Sequence, residues 1–133
     1  MPFTPWTTRG DYCEILDFVE EHDLIDHIDP VQYTIRLLVP PGSYLEKHQA
    51  MLPYRGTLDQ PAFSYRWTHP DPGMDRLQKE VAALVEEDTR AGEDTAMTFY
   101  RVQALARGRS GEPSRTPPRD RVRPPRLSEP WFC

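Results

Sequence analysis

The sequence predicts an α/β fold in which one helix and one strand form half of an α/β repeat, followed by a two-helix extension and a disordered basic tail. Three observations carry this prediction: a helical apolar stripe over residues 11–22, a period-two alternation over residues 31–39, and two more helical stripes between residues 72 and 107.

The first helix opens on Thr8 and Asp11, a capping box with Asp in place of the usual Glu. Tyr12, Ile15, Leu16 and Val19 then recur at helical spacing, Phe18 widens the stripe, and Glu14, Asp17, Glu20 and Glu21 fill the opposite face. The helix is therefore amphipathic, with its charged side in water.

Asp29-Pro30 punctuates the chain, and in "VQYTIRLLV" the apolar Val31, Tyr33, Ile35, Leu37 and Val39 alternate with Gln32, Thr34, Arg36 and Leu38. This predicts a strand over 31–39, stopped by Pro40-Pro41-Gly42. One strand and one helix do not make a sheet, so the partners must come from elsewhere. The opening "MPFTPWTT" reads as the loop leaving a preceding strand. The polar face of the predicted strand is either the solvent side of an edge strand or, in a barrel, the lumen. The N-terminal loop favours the lumen, since Thr4, Pro5 and Trp6 would then lie at the same mouth as Arg36, a residue able to hold a carboxylate or phosphate through two parallel hydrogen bonds.

Residues 43–70 predict one helical turn near Tyr44–Met51 and an extended aromatic stretch near Phe63–Trp67. Asp71 followed by Pro72 is an N-cap with proline at the first helical position, and Met74, Leu77, Val81, Leu84 and Val85 extend a helix to about residue 88. Gly92 breaks it, and Ala96, Phe99, Val102, Leu105 and Ala106 outline another over about 93–107, antiparallel to the last. Arg107 to Pro130 shows no periodicity and predicts disorder.

Fifteen prolines in 133 residues and a mean hydropathy of −0.70 leave a core that is small or shared. Up to residue 106 the chain carries nine Lys+Arg against eighteen Asp+Glu, and beyond it seven arginines against three acids, together the net −5. The basic arm lacks aromatic platforms and the acidic body repels phosphate, so the arm reads as a solvated linker and no nucleic-acid partner is expected. No run is long and apolar enough for a membrane span and the start lacks a signal-peptide pattern, so a cytoplasmic location is expected. His22, His27, His48 and His69 match no metal-ligand spacing, and phosphate-loop, dinucleotide, nucleophile-elbow and zinc-protease motifs are all missing. No motif taken alone names a reaction.

The strings "PFTPWTT", "DFVEEHDLIDHIDPVQYTIRLLVPPGS", "RWTHPDP" and "PPRLSEPWFC", in this order, resemble the C-terminal part of a bacterial family of radical SAM proteins. That family is named for a tail in which Cys-Cys-Ala-Glu-Pro, or its selenocysteine form, follows Trp-Phe. The resemblance implies a partial (β/α) barrel holding a 4Fe-4S cluster through Cys-x3-Cys-x2-Cys and cleaving S-adenosylmethionine reductively, with a cobalamin-binding-like domain ahead of the barrel in some members.

The chain departs from this pattern, since Cys13 and Cys133 cannot supply three clustered ligands. The expectation is a C-terminal fragment that does not bind the cluster by itself: residues 1–45 a piece of the barrel, 46–107 a mostly helical extension, and 108–133 a disordered basic tail ending in a cysteine. Gln32 and Arg36 are the expected lumen contacts, Thr4 and Trp6 the mouth residues, and Cys133 the tail thiol. The resemblance further implies that Cys133 is half of a Cys-Cys or Cys-Sec pair, the selenocysteine codon being read as a stop, and that Met1 occupies an interior position of the family pattern. The expected partner is the rest of the barrel, in the same product or supplied in trans. The alternative is a standalone interaction module whose acidic body and arginine arm bind a protein.

Overall fold

A computed structural model describes residues 1–109, 112, 113, 115–118, 121, 122 and 124. Helix α1, Arg9–Glu21, begins where the capping box puts it. Thr8 Oγ1 accepts from the Asp11 N–H at 3.1 Å, and an Asp11 carboxylate oxygen accepts from the Thr8 N–H at 2.9 Å, so two orphan donors of the first turn are satisfied. Asp23, with φ of 54°, turns the chain away after the helix.

The strand predicted over 31–39 is corrected by the structure. Pro30–Thr34 forms a 3-10 turn, and only the residues after it run extended. The cause is local. Asp29 Oδ1 accepts from the Val31 N–H at 3.0 Å, the Asp29 carbonyl accepts from the Gln32 N–H at 2.9 Å, and the Thr34 hydroxyl donates to the Val31 carbonyl at 2.7 Å. An N-cap aspartate with proline at the first position favours a helical turn more strongly than the alternating side chains favour extension. Burial still follows the odd residues at Tyr33, Leu37 and Val39.

The extended piece has a partner. Phe3 and Arg36 form a parallel bridge, in which the Phe3 N–H donates to the Ile35 carbonyl at 3.2 Å and the Leu37 N–H to the Phe3 carbonyl at 2.8 Å. The chain thus leaves one extended segment, passes through α1, and returns parallel to it.

Within the extension, strands β1, Arg55–Asp59, and β2, Ser64–Trp67, form an antiparallel hairpin pairing Arg55 with Trp67 and Asp59 with Ser64. The register shifts between Arg55 and Leu58, beside Gly56, where an added Cβ would lie 3.3 Å from the Arg66 carbonyl oxygen. The extension therefore holds sheet as well as helix. A 3-10 turn over Tyr44–Lys47 occupies part of the predicted helical turn.

Helix α2, Pro72–Arg90, starts at Asp71, whose side chain accepts from the Gly73 N–H, and Gly92, with φ of 69°, follows its end. Helix α3, Thr95–Ala106, is capped by Asp94 and packs back on α2. The core forms where α1, the Pro30–Thr34 turn, α2 and α3 meet, around Tyr12, Leu16, Tyr33, Leu77, Val81, Val85, Phe99 and Val102. A satellite core of Leu37, Val39, Met51 and Trp67 lies under the hairpin. No described helix is long and apolar enough to cross a membrane.

Candidate functional site

Arg36 is the bridge partner of Phe3, and its side chain reaches Asp75 of α2 and Trp67 of β2. One guanidinium nitrogen donates to Asp75 Oδ1 at 3.0 Å, another to the Trp67 carbonyl at 2.9 Å, and the guanidinium carbon stands 3.9 Å from the Trp67 ring centroid. Trp67 is fixed in turn, because its indole N–H donates to the Leu37 carbonyl at 2.8 Å. Asp75 sits in the first turn of α2, where the helix dipole favours a carboxylate.

The second oxygen of Asp75 accepts from the His69 N–H at 3.1 Å. His69 is buried, and its Nδ1 accepts from the Asp71 N–H at 2.8 Å. That contact leaves the ring proton on Nε2, which donates to the Thr7 carbonyl at 2.7 Å. Thr7 belongs to a turn held by Thr4, whose hydroxyl meets that of Thr7 at 2.7 Å and accepts from the Thr7 N–H at 3.1 Å.

One network therefore joins the N-terminal loop, the extended segment and the start of α2. Thr4, Thr7, His69, Asp75, Arg36 and Trp67 follow one another through direct contacts. It borders a cleft of about 660 Å³ lined by Arg36, Leu38, Tyr65, Trp67, Asp75 and Lys79, among others. Tyr65 donates its hydroxyl to Glu46 at 2.8 Å, a bond that pushes the phenol above the usual tyrosine range. Leu38 is 62% exposed at the cleft, an apolar rim beside the cations.

Of the residues singled out in the sequence, Arg36 and Thr4 are brought into this network. Trp6 lies on the same loop, 45% exposed, and its N–H donates to the Thr4 hydroxyl at 3.3 Å. Gln32 is exposed on the Pro30–Thr34 turn, and the network's contacts do not include it. Cys133 lies outside the described residues.

Sequence reasoning missed His69, Asp75 and Asp88. His69 and Asp75 stand in and just after "RWTHPDP", the string that carried the resemblance, so the motif was visible but its role as a clamp was not. Asp88 had a direct signal, since it continues the buried spacing of Leu77, Val81 and Val85 with a carboxylate. It accepts from the Thr98 hydroxyl at 2.9 Å and from Arg101 at 2.8 Å, fastening α2 to α3.

Among the described residues the ligands for a 4Fe-4S cluster are not brought together. Cys13 is half-buried on α1 with its thiol donating to the Ala106 carbonyl at 3.5 Å, and burial, then the neighbouring Asp17, push its pKa up, away from the thiolate a cluster needs. Among the described residues no three His, Cys, Asp or Glu side chains gather as metal ligands. Compared with protein-family models, curated proteins and solved structures, the chain finds no match.

Proposed function

We propose that this chain is the C-terminal segment of a radical SAM enzyme, supplying the last helix and extended strand of a partial (β/α) barrel and the extension that braces them. The observation that supports this most is the parallel bridge between Phe3 and Arg36 on either side of α1. Parallel neighbours joined through a helix are the repeating unit of such barrels, in which the ends of the strands carry the site. Thr4 follows the first of these segments and Arg36 lies on the second, and both belong to one network, as residues of a barrel mouth should.

The edges support the same reading. The Thr34 carbonyl, at the end of the turn that leads into the extended segment, accepts from the Gln78 side chain of α2 at 3.0 Å, so the extension braces the entry to that segment. Backbone groups alternate between edges along a strand, and in this assignment a preceding strand would pair with the Pro2 carbonyl and the Thr4 N–H, on the side of Phe3 away from Arg36. In this assignment the missing part of the barrel is the partner and holds the cluster, S-adenosylmethionine and any cobalamin. This chain contributes wall, mouth residues and brace to a substrate of unidentified class.

Sequencing the native locus upstream of Met1 and past the codon for Cys133 tests the proposal. The expected result is an in-frame Cys-x3-Cys-x2-Cys barrel upstream and a Cys or Sec with Ala-Glu-Pro downstream. The restored protein then cleaves S-adenosylmethionine, and Arg36→Ala lowers product formation. A locus with no barrel in frame or in a neighbouring partner gene overturns it. The core built from α1, α2 and α3 favours the second reading, a self-standing interaction module, which that same outcome would leave in place.

A further inference from the structure

The basic arm returns to the acidic body. Arg121 Nε lies 3.0 and 2.9 Å from the two oxygens of Asp26, and a terminal guanidinium nitrogen donates to Asp94 Oδ1. A second guanidinium nitrogen donates to the Pro118 carbonyl at 3.0 Å. The Arg121 side chain is only 14% exposed, far below the 67% of Arg115, which reaches Glu20 at 3.6 Å. Arg107 begins the path, pairing with Asp17 at 2.8 Å. Three arginines of the arm thus meet carboxylates of α1, of the turn after it and of the α3 cap in succession.

We propose that Arg121 is the latch of an electrostatic strap that binds the C-terminal arm to the acidic body. A planar guanidinium against two carboxylates in a largely covered position is a specific contact, unlike a scatter of surface pairs. Asp94 also caps α3, accepting from the Ala96 N–H at 2.8 Å, so the latch closes on a carboxylate already fixed in place. Twenty-seven residues follow Ala106, a contour of about 90 Å, whereas twelve follow Arg121, about 40 Å. Latching therefore moves the last anchored residue fifteen positions nearer to Cys133 along the sequence, and ionic competition for Asp26 and Asp94 undoes it. The device does not depend on the enzymatic proposal, since it needs only this chain.

Trypsin cleavage of the Arg121–Val122 bond reads the latch directly, because a docked guanidinium cannot enter the protease. The rate in the intact protein is compared with that in a synthetic peptide of residues 112–124 in the same buffer, so that salt effects on trypsin cancel. At low ionic strength the bond in the protein is expected to be cut about tenfold more slowly or less, with the ratio approaching one near 1 M salt, where charges are screened within about 3 Å. Asp26→Asn is expected to bring the ratio toward one without added salt. Equal rates in protein and peptide at low salt overturn the proposal, as does a slow rate that neither salt nor Asp26→Asn relieves. The salt series uses the unaltered chain and decides the matter even where Asp26→Asn disturbs folding.

Discussion

Tyr12 shows how one buried polar atom shapes the behaviour of this chain. Its ring is fully covered and lies 4.7 Å from that of Phe3, and its hydroxyl donates to the Tyr33 carbonyl at 2.9 Å, tying α1 to the turn that replaces the predicted strand. Burial drives its phenol well above the ordinary tyrosine range, with neighbouring Tyr33 next, and burial does the same to Tyr33 itself. The sign follows from linkage: the unfolded chain loses these protons near pH 10 and the folded chain only at higher pH, so stability is intact below about pH 10 and is lost as pH rises beyond it. Tyr12→Phe should cost about 1 kcal/mol at neutral pH and flatten the alkaline loss, read by denaturant unfolding at a series of pH values. At the other end of α1, Thr8→Ala removes the cap and should cost about 1 kcal/mol in the same assay. Cys13, with its pKa raised, should alkylate more slowly than a small-molecule thiol at pH 8 in the native protein and at the model rate once unfolded.

The element scale is where sequence and structure part company, and the division has a physical pattern. Helices were legible because caps and stripes are local signals: Thr8 with Asp11, Asp71 with Pro72, and the stripe from Met74 to Val85 all appear in place. Over 31–39 the period-two alternation points to a strand and Asp29-Pro30 to a helical turn, and the turn wins, as the Asp-Pro pair at 71–72 also starts a helix. Both pairs do the same thing, the aspartate accepting from the N–H two residues on. The hairpin of β1 and β2 was half visible, as an aromatic extended stretch, and its partner strand "RGTLD" gave no alternation to find. Asp88 was missed for a different reason, since its value lies in two residues of the next helix, Thr98 and Arg101. Asp88→Ala leaves the buried Thr98 hydroxyl without its acceptor and Arg101 without its carboxylate, and should destabilise by about 2–4 kcal/mol. Thermal or urea unfolding of that variant, with Asp88→Asn as the gentler comparison, measures it.

At the scale of the whole molecule the decisive feature is a core shared by residues on both sides of residue 45. Phe3, Tyr12, Leu16, Val19 and Tyr33 from one side share a single buried cluster with Met74, Leu77, Val81, Val85, Phe99 and Val102 from the other. Arg36 crosses the same line to reach Asp75, as does His69 to reach Thr7. Neither piece retains a closed core when separated, and a single parallel bridge cannot hold a sheet alone. Peptides covering residues 1–45 and 46–107 should therefore each lack cooperative unfolding, while residues 1–109 unfold in one transition in which helical ellipticity and the fluorescence of Trp6 and Trp67 coincide. Two resolved transitions, or an independently folded 46–107, would show that the extension is a domain in its own right and that the network around Arg36 is a contact between units. Coincident curves instead mean that any substitution in the clamp, Arg36→Ala included, is felt through the stability of the entire body, of the order of 5–15 kcal/mol for a domain. For that reason a loss of function in an Arg36 variant has to be read beside its unfolding curve: only a variant that unfolds like the parent and still fails assigns the guanidinium to the mouth of a barrel rather than to its brace.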